Sequence, residues 1–283
     1  MSALPVRPQA VLLFLMLLAA ALAPCFARAA RSEGLPLVAV VTTGGTIAMK
    51  ADPASGGAVP AVSGKDLLAG VPGLAGLARI QVVPLCNIDS SQMTPQIWLR
   101  LSARVDELLA DPEVAGVVVT HGTDTMACGA FFLDVTLESD KPVVFTGAMR
   151  DASDISPDGP LNIFNAVKQV TLQGDARWGV TLTMNQFVAD ARDVRKVHTT
   201  NAQCFSSGPA GYLGHVGGEG LSVFREAARA VHVPRPASIP PVAIVTQAPG
   251  DDGGLLRAAV DLGYAGIVVQ AVGAGNVNED VFH

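Results

Sequence analysis

The stretch "VAGVVVTHGTDTMACGAFFLDVTLES", Val114–Ser139, decides the fold. It opens on a β-branched, apolar run, Val114–Thr120, with no polar alternation. That is the pattern of a strand covered on both faces. A hydroxyl-rich turn follows, Thr120-His121-Gly122-Thr123-Asp124-Thr125. From Met126 the residues read as an amphipathic helix over 126–139. Strand, polar turn and helix in immediate succession are the repeating unit of an α/β protein.

The same unit recurs on either side. "LPLVAVV" (35–41), "IQVVPL" (80–85), "PVVFTGA" (142–148) and "WGVTLTM" (178–184) read as further buried strands. "TPQIWLRLSARVDELLA" (94–110) and "GPLNIFNAVKQVTLQ" (159–173) read as amphipathic helices. Thr94 is placed to cap the first, with Pro95 at its first helical position. The expected fold is α/β, a mostly parallel sheet flanked by helices, in a larger N-terminal domain spanning 30–224. Residues 225–241, rich in Pro and Ala, read as a linker. A smaller α/β unit is expected over 242–283, with a strand at 242–247, a helix at 253–263 and a strand at 266–272. One strand–helix–strand unit cannot cover its own sheet, so this second domain reads as incomplete.

Composition narrows the function classes. The chain has 283 residues and a formal net charge of −6, with only 16% of residues charged. No Lys/Arg cluster is present, which argues against an electrostatic nucleic-acid binder. Residues 1–29 read as a cleaved signal peptide. Arg7 precedes the apolar run "AVLLFLMLLAAALA", and Ala27-Arg28-Ala29 has the small-x-small form of a cleavage site. The expected location is therefore periplasmic or secreted. Cys86, Cys128 and Cys204 remain after cleavage. One disulfide can form in an oxidising compartment, but free thiols packed as small hydrophobes are the preferred reading. No Cys/His spacing points to a metal.

Two loops carry the chemistry. "VVTTGGTIA" (40–48) ends one strand, and the turn 120–125 ends another. In open α/β sheets ligands bind beyond the carboxyl ends of strands, so the two loops are expected to share one site. Gly44 and Gly45 permit a sharp turn, and Thr42, Thr43 and Thr46 supply hydroxyls. Neither a phosphate loop nor a dinucleotide fingerprint is present, because both spacings fail. A third segment, "ARDVRKVHTT" (191–200), brings Lys196. A threonine hydroxyl is a weak nucleophile until a base takes its proton. A desolvated lysine can be that base, and an adjacent aspartate can orient it. Thr, Lys and Asp with a second Thr therefore suit acyl transfer. His121 is read as structural.

"TTGGTIA" (42–48) and "HGTDTM" (121–126) resemble the two signature motifs of bacterial L-asparaginases. "KPVVFTGAMR" (141–150), "DGPLNIFNAV" (158–167), "RDVRKVHTTN" (192–201) and "GYAGIVVQAVGAGN" (263–276) resemble the same family in order and spacing. The resemblance covers Leu35 to Phe282. It implies hydrolysis of L-asparagine to L-aspartate and ammonia through an acyl-enzyme, with no metal or organic cofactor. Thr46 matches the primary nucleophile and Thr123 the second threonine. Lys196 matches the partner lysine, and Asp124 the aspartate that completes the triad and holds the substrate's amino group. Ser90 matches the serine that binds the substrate carboxylate, followed in the binding site by Ser91. Ala148 matches a position lining the amide pocket. Gly45 and Gly122 lie where backbone N–H groups face the substrate. The family also implies a homo-oligomer, a tetramer built from intimate dimers.

Three departures from the family pattern stand out. The loop "MKADPASGGAVPAVSG" (49–64) lacks the Tyr that usually helps activate the nucleophile. Ser91 stands where secreted members often carry Glu or Gln, and "DSSQMTP" is closer to the cytoplasmic type. The family's second domain continues well past "GAGN", where it lends a carboxylate to a neighbouring subunit. Two alternatives accompany the asparaginase reading: a broader asparaginase–glutaminase, and a catalytically impaired amino-acid-binding remnant.

Overall fold

A computed structural model of the chain describes residues 34–52, 57–174, 177–227 and 231–282. The expected leader lies outside these residues. Strand β1 (Leu37–Gly44) is buried along its whole length after Leu37. Its alternate side chains serve two different cores. Ala39 and Val41 join one apolar cluster, Val38 and Val40 the other. A strand with apolar layers on both sides needs apolar residues at every position, which is why the run shows no alternation.

The remaining strands follow in chain order. A short hairpin is formed by β2 (Met49–Asp52) and β3 (Gly57–Pro60). Next come β4 (Arg79–Ile88), β5 (Val114–Thr120), β6 (Val143–Thr146), β7 (Val180–Met184) and β8 (Phe187–Asp190). Then follow β9 (Arg195–Lys196), β10 (Phe205–Ser206), β11 (Gly214–Gly217) and β12 (Gly220–Val223). The main sheet has eight strands in the order β12-β11-β8-β7-β6-β5-β1-β4. From β4 to β7 every pairing is parallel. Beyond β7 the pairings are antiparallel, so the expected mostly parallel sheet carries an antiparallel edge.

Helices α1 (Gly64–Ala69) and α4 (Gly159–Leu172) contribute to the Val38/Val40 core through Leu67, Leu68, Ile163, Ala166 and Val167. Helices α2 (Pro95–Leu109) and α3 (Met126–Thr136) cover the opposite face through Leu101, Val105, Ala130 and Leu133. Thr94 caps α2 as expected, its hydroxyl oxygen accepting from the Ile97 amide at 3.3 Å. Helix α3 is less amphipathic and shorter than expected. Its outer side leaves Phe131 exposed, and at Leu137 the backbone turns extended.

The strand order fixes where a ligand can sit. From β1 the chain goes first to β4 on one side, then crosses to β5 on the other. The crevice beyond the carboxyl ends of β1 and β5 is therefore the topological switch point. Thr46 and Thr123 lie just past those two ends.

The region after 224 packs partly onto this body. The Val233 amide donates to the Val135 carbonyl at 2.6 Å, and Arg235 reaches Ser102 and Asp106 on α2. Strand β13 (Val242–Thr246), helix α5 (Gly254–Asp261) and strand β14 (Gly266–Gln270) then form one parallel βαβ unit. A short helix α6 (Glu279–Phe282) follows. Among the described residues the three cysteines, Cys86, Cys128 and Cys204, are free. Cys204 is buried and Cys86 half-buried, but Cys128 is exposed, which corrects the expectation that all three pack as core hydrophobes.

Candidate active site

At the end of β1 the backbone takes two consecutive positive φ angles, 103° at Gly44 and 82° at Gly45. The Gly45 amide donates to the Ile88 carbonyl at 3.0 Å, and a single helical turn, Thr46–Ala48, follows. A Cβ at Gly45 would lie 2.3 Å from the Gly122 Cα, and one at Gly122 would lie 2.6 Å from the Ser90 hydroxyl. Only glycine lets three loops meet at this separation. The loops ending β1, β4 and β5 thus converge backbone to backbone, carrying Thr46, Ser90 and Thr123. Ser90 and Thr123 are buried, and Thr46 is half-buried.

Two of the three threonines in the first loop serve the scaffold. Thr43 donates to the Thr120 carbonyl at 2.9 Å, tying the ends of β1 and β5 together. Thr42 is buried, with its side chain close against Gly64. The expectation that all three supply hydroxyls to a ligand is corrected: Thr46 is the one beyond the strand.

Lys196 sits on β9 and reaches the β5 loop. Its ammonium donates to the Thr123 hydroxyl at 2.9 Å and to the Asp124 carboxylate at 2.5 Å. The lysine side chain is 18% exposed and the aspartate 64%. A shielded cation is therefore held by a carboxylate that still faces solvent, with a hydroxyl in its coordination. A cavity of about 350 Å³ opens beside it, bordered by Lys196, Val197, His198 and Thr199.

His121 points the other way. Its ring stacks on Trp98 with centroids 5.0 Å apart, and Nδ1 meets the Gly122 carbonyl at 2.6 Å. Burial pushes its pKa down to about 4, so it is neutral and structural, as expected. Ser91 is exposed, its amide donating to the Asp89 carboxylate at 2.8 Å. Ala148 is buried in the same cluster as Ile47, the residue after Thr46.

Several supporting residues escaped the sequence reading. Thr125 donates to the Ser90 carbonyl at 2.9 Å and so links the second and third loops. The Asp158 carboxylate accepts from the Met149 and Arg150 amides at 2.9–3.1 Å, holding the segment that carries Ala148. The Asn162 side-chain amide donates to the Gly147 carbonyl in the same segment. An Asp immediately before Gly-Pro at a helix start was a local signal for Asp158. Tyr212 stacks on Phe187 and donates to the Phe205 carbonyl at 2.8 Å, which engages its hydroxyl within the scaffold. Among the described residues, no His/Cys/Asp/Glu group could hold a metal ion.

A threonine-rich turn beside a Thr–Lys–Asp cluster at a switch point invites comparison with known proteins. The family described as "Asparaginase, N-terminal" matches residues 37–229. The chain belongs to the asparaginase family. It is 38% identical over 256 residues to L-asparaginase 2 of Escherichia coli strain K12, covering 88% of this chain and 73% of that protein. It is 36% identical to a probable periplasmic L-asparaginase of Haemophilus influenzae, covering 88% of this chain and 73% of the relative. Among solved structures, a probable cytoplasmic L-asparaginase from Campylobacter jejuni superposes with a TM-score of 0.79 at 37% identity. That match covers 87% of this chain and 77% of the neighbour. As an asparaginase-family member the chain is an amidohydrolase by kind, and its α/β architecture is the family's. Relatives are named from both sides of the inner membrane, so kinship leaves the compartment open.

Proposed function

We propose that this chain hydrolyses L-asparagine to L-aspartate and ammonia through a threonine acyl-enzyme. The observation that carries the reading is the Lys196 ammonium set between the Thr123 hydroxyl and the Asp124 carboxylate, on a loop whose Gly122 touches the Gly45 turn. Thr46 Oγ attacks the side-chain amide carbon of the substrate. The Gly45 amide is committed to the Ile88 carbonyl, so other backbone N–H groups of the converging loops take up the negative charge that develops on the amide oxygen. The C–N bond then breaks, and the nitrogen takes the nucleophile's proton and leaves as ammonia. Water attacks the resulting ester, the C–O bond to Thr46 breaks, and the hydroxyl regains its proton. Thr123, held by the Lys196 Nζ at 2.9 Å, relays that proton between Thr46 and the departing nitrogen, and returns it from the attacking water. Asp124 orients Lys196 and offers its exposed oxygen to the substrate ammonium. Ser90 and Ser91 hold the substrate carboxylate, and Ala148 lines the amide pocket.

A second reading makes Thr123 the attacking hydroxyl. It is favoured by the direct Lys196 contact at 2.9 Å and by the absence of a Tyr from residues 49–64. Trapping with an electrophilic asparagine analogue, followed by peptide mapping, separates the two. Label on Thr46 is expected, label on Thr123 reverses the roles, and no label with no ammonia release leaves an amino-acid-binding protein. Glutamine differs from asparagine by one methylene, a difference worth ~1–3 kcal/mol in a fitted pocket. Relative rates on the two amides therefore tell an asparaginase from an asparaginase–glutaminase.

The N-terminal pattern adds export to the periplasm or medium as a proposal. Sequencing of the native protein is expected to begin at Ala30, and recovery of intact Met1 would overturn it. Assembly into a homo-oligomer, a tetramer by kinship, completes the proposal.

A further inference from the structure

We infer that Arg225 is a positioning residue for Lys196, an inference that rests on the role proposed for that lysine. Lys196 stands on a two-residue strand, β9, whose partner β10 is equally short. Two paired residues are too little ladder to fix a long side chain. The support comes from either side of that pair. On the entry side, β8 ends at Asp190, whose side chain is 2% exposed. The Asp190 carboxylate accepts from the Arg192 amide at 3.1 Å, and its carbonyl accepts from the Asp193 and Val194 amides. This tight turn delivers the chain to Arg195 and Lys196.

Arg225 clamps the turn. Its Nη2 donates to the Asp193 carboxylate at 2.9 Å, and its Nη1 lies 3.6 Å from the Asp190 carboxylate. The same guanidinium donates through Nε and Nη2 to the Gly211 carbonyl, at 3.2 and 3.0 Å. Gly211 precedes Tyr212, whose hydroxyl donates to Phe205 on β10, and Phe205 is the register partner of Lys196. One planar fork therefore fixes both the turn that feeds β9 and the segment that holds β10. A lysine at 225 offers a point charge and cannot span these acceptors together. Arg225 touches neither Ser90, Gly122 nor Thr46, so its loss should misplace the Lys196 amine without dismantling the groups proposed to bind substrate.

The test compares Arg225→Lys, Arg225→Ala and Lys196→Ala in the full chain, with Arg235→Ala as a control. Arg235 makes a comparable ion pair with Asp106, on the α2 face of the molecule. Rates on asparagine are normalised to active sites counted by covalent titration, which removes any misfolded fraction. A displacement of about 1 Å in a proton-transferring group costs up to ~10²-fold in rate. The expected result is kcat down roughly tenfold in Arg225→Lys and roughly a hundredfold in Arg225→Ala, with KM within about threefold. Arg235→Ala should keep kcat. If Arg225→Ala does not fold, the graded loss in Arg225→Lys carries the test. Unchanged kcat per active site in the Arg225 variants, while Lys196→Ala is inactive, would overturn the positioning role alone. Full activity in Lys196→Ala would overturn the proposed mechanism and this inference together.

Discussion

At the scale of single residues, the motif His121-Gly122-Thr123-Asp124 divides its labour by direction. Thr123 and Asp124 face Lys196, while His121 turns inward between Trp98 and Phe145. With Nδ1–H donating to the Gly122 carbonyl, Nε2 is a bare acceptor, buried without a hydrogen-bond partner among the described residues. Protonating it would create an unpaired buried cation, which is the physical reason its pKa falls from 6.5 to about 4. Between these values the unfolded chain binds the proton and the folded chain does not. Stability contributed by neutral His121 is thus present above pH 6.5 and lost as pH falls towards 4, by up to about 3 kcal/mol. Asp134 opposes this, because burial raises its pKa to about 6 and the folded state gains a proton as pH falls below that value. His121→Phe isolates the first effect. Melting temperatures measured between pH 7 and 4.5 should fall less in the variant than in the wild type. Parallel slopes would show that His121 does not titrate on unfolding.

At the scale of elements, capping residues state their role locally. Thr94 accepts from the Ile97 amide, and Pro95 needs no acceptor, so α2 starts where the sequence says. Thr94→Ala should cost about 1 kcal/mol, lowering the melting temperature by roughly 2–4 °C in a domain of this size. Thr94→Asp should restore it, and an unchanged melt would show that water satisfies the Ile97 amide equally well. The central strands were legible for the same local reason, since burial on both faces demands unbroken apolar runs. The antiparallel edge was not. The β7–β8 hairpin turns at Asn185 and Gln186, with φ of 46° and 71°, and so lacks the glycine that usually marks such a turn. The Thr–Lys–Asp set was legible as residue types suited to acyl transfer, but the individual roles came only with the resemblance, because Thr123 and Lys196 are 73 positions apart. Its supports were less legible still. Thr125 and Arg225 act on remote backbone or on distant carboxylates, and such contacts leave no periodicity or spacing in the chain, whereas Asp158 is marked locally by its place before Gly-Pro at the start of α4.

At the scale of the whole molecule, the βαβ unit formed by β13, α5 and β14 has one covered face and one open face. Ala243 and Val245 are at least partly covered, while Val242 and Ile244 alternate outward. Ile244 and Val268 are register partners across the two strands, 73% and 54% exposed. A cross-strand pair of β-branched residues on one face is the arrangement a sheet ordinarily buries. Leu255 and Leu262 add exposed apolar surface around the same unit. Exposed apolar surface such as the Ile244–Val268 pair drives association. The proposed homo-oligomer should therefore use this face, and light scattering at assay concentrations should give a mass above that of one chain. Replacing Ile244 and Val268 together by Lys would place two like charges opposite each other on the face, which opposes its burial. Those substitutions lie outside the main sheet and should leave its melting transition intact while lowering the measured mass. A wild-type protein that runs as a clean monomer would overturn the assembly. An oligomer that survives both lysines would move the contact to another surface.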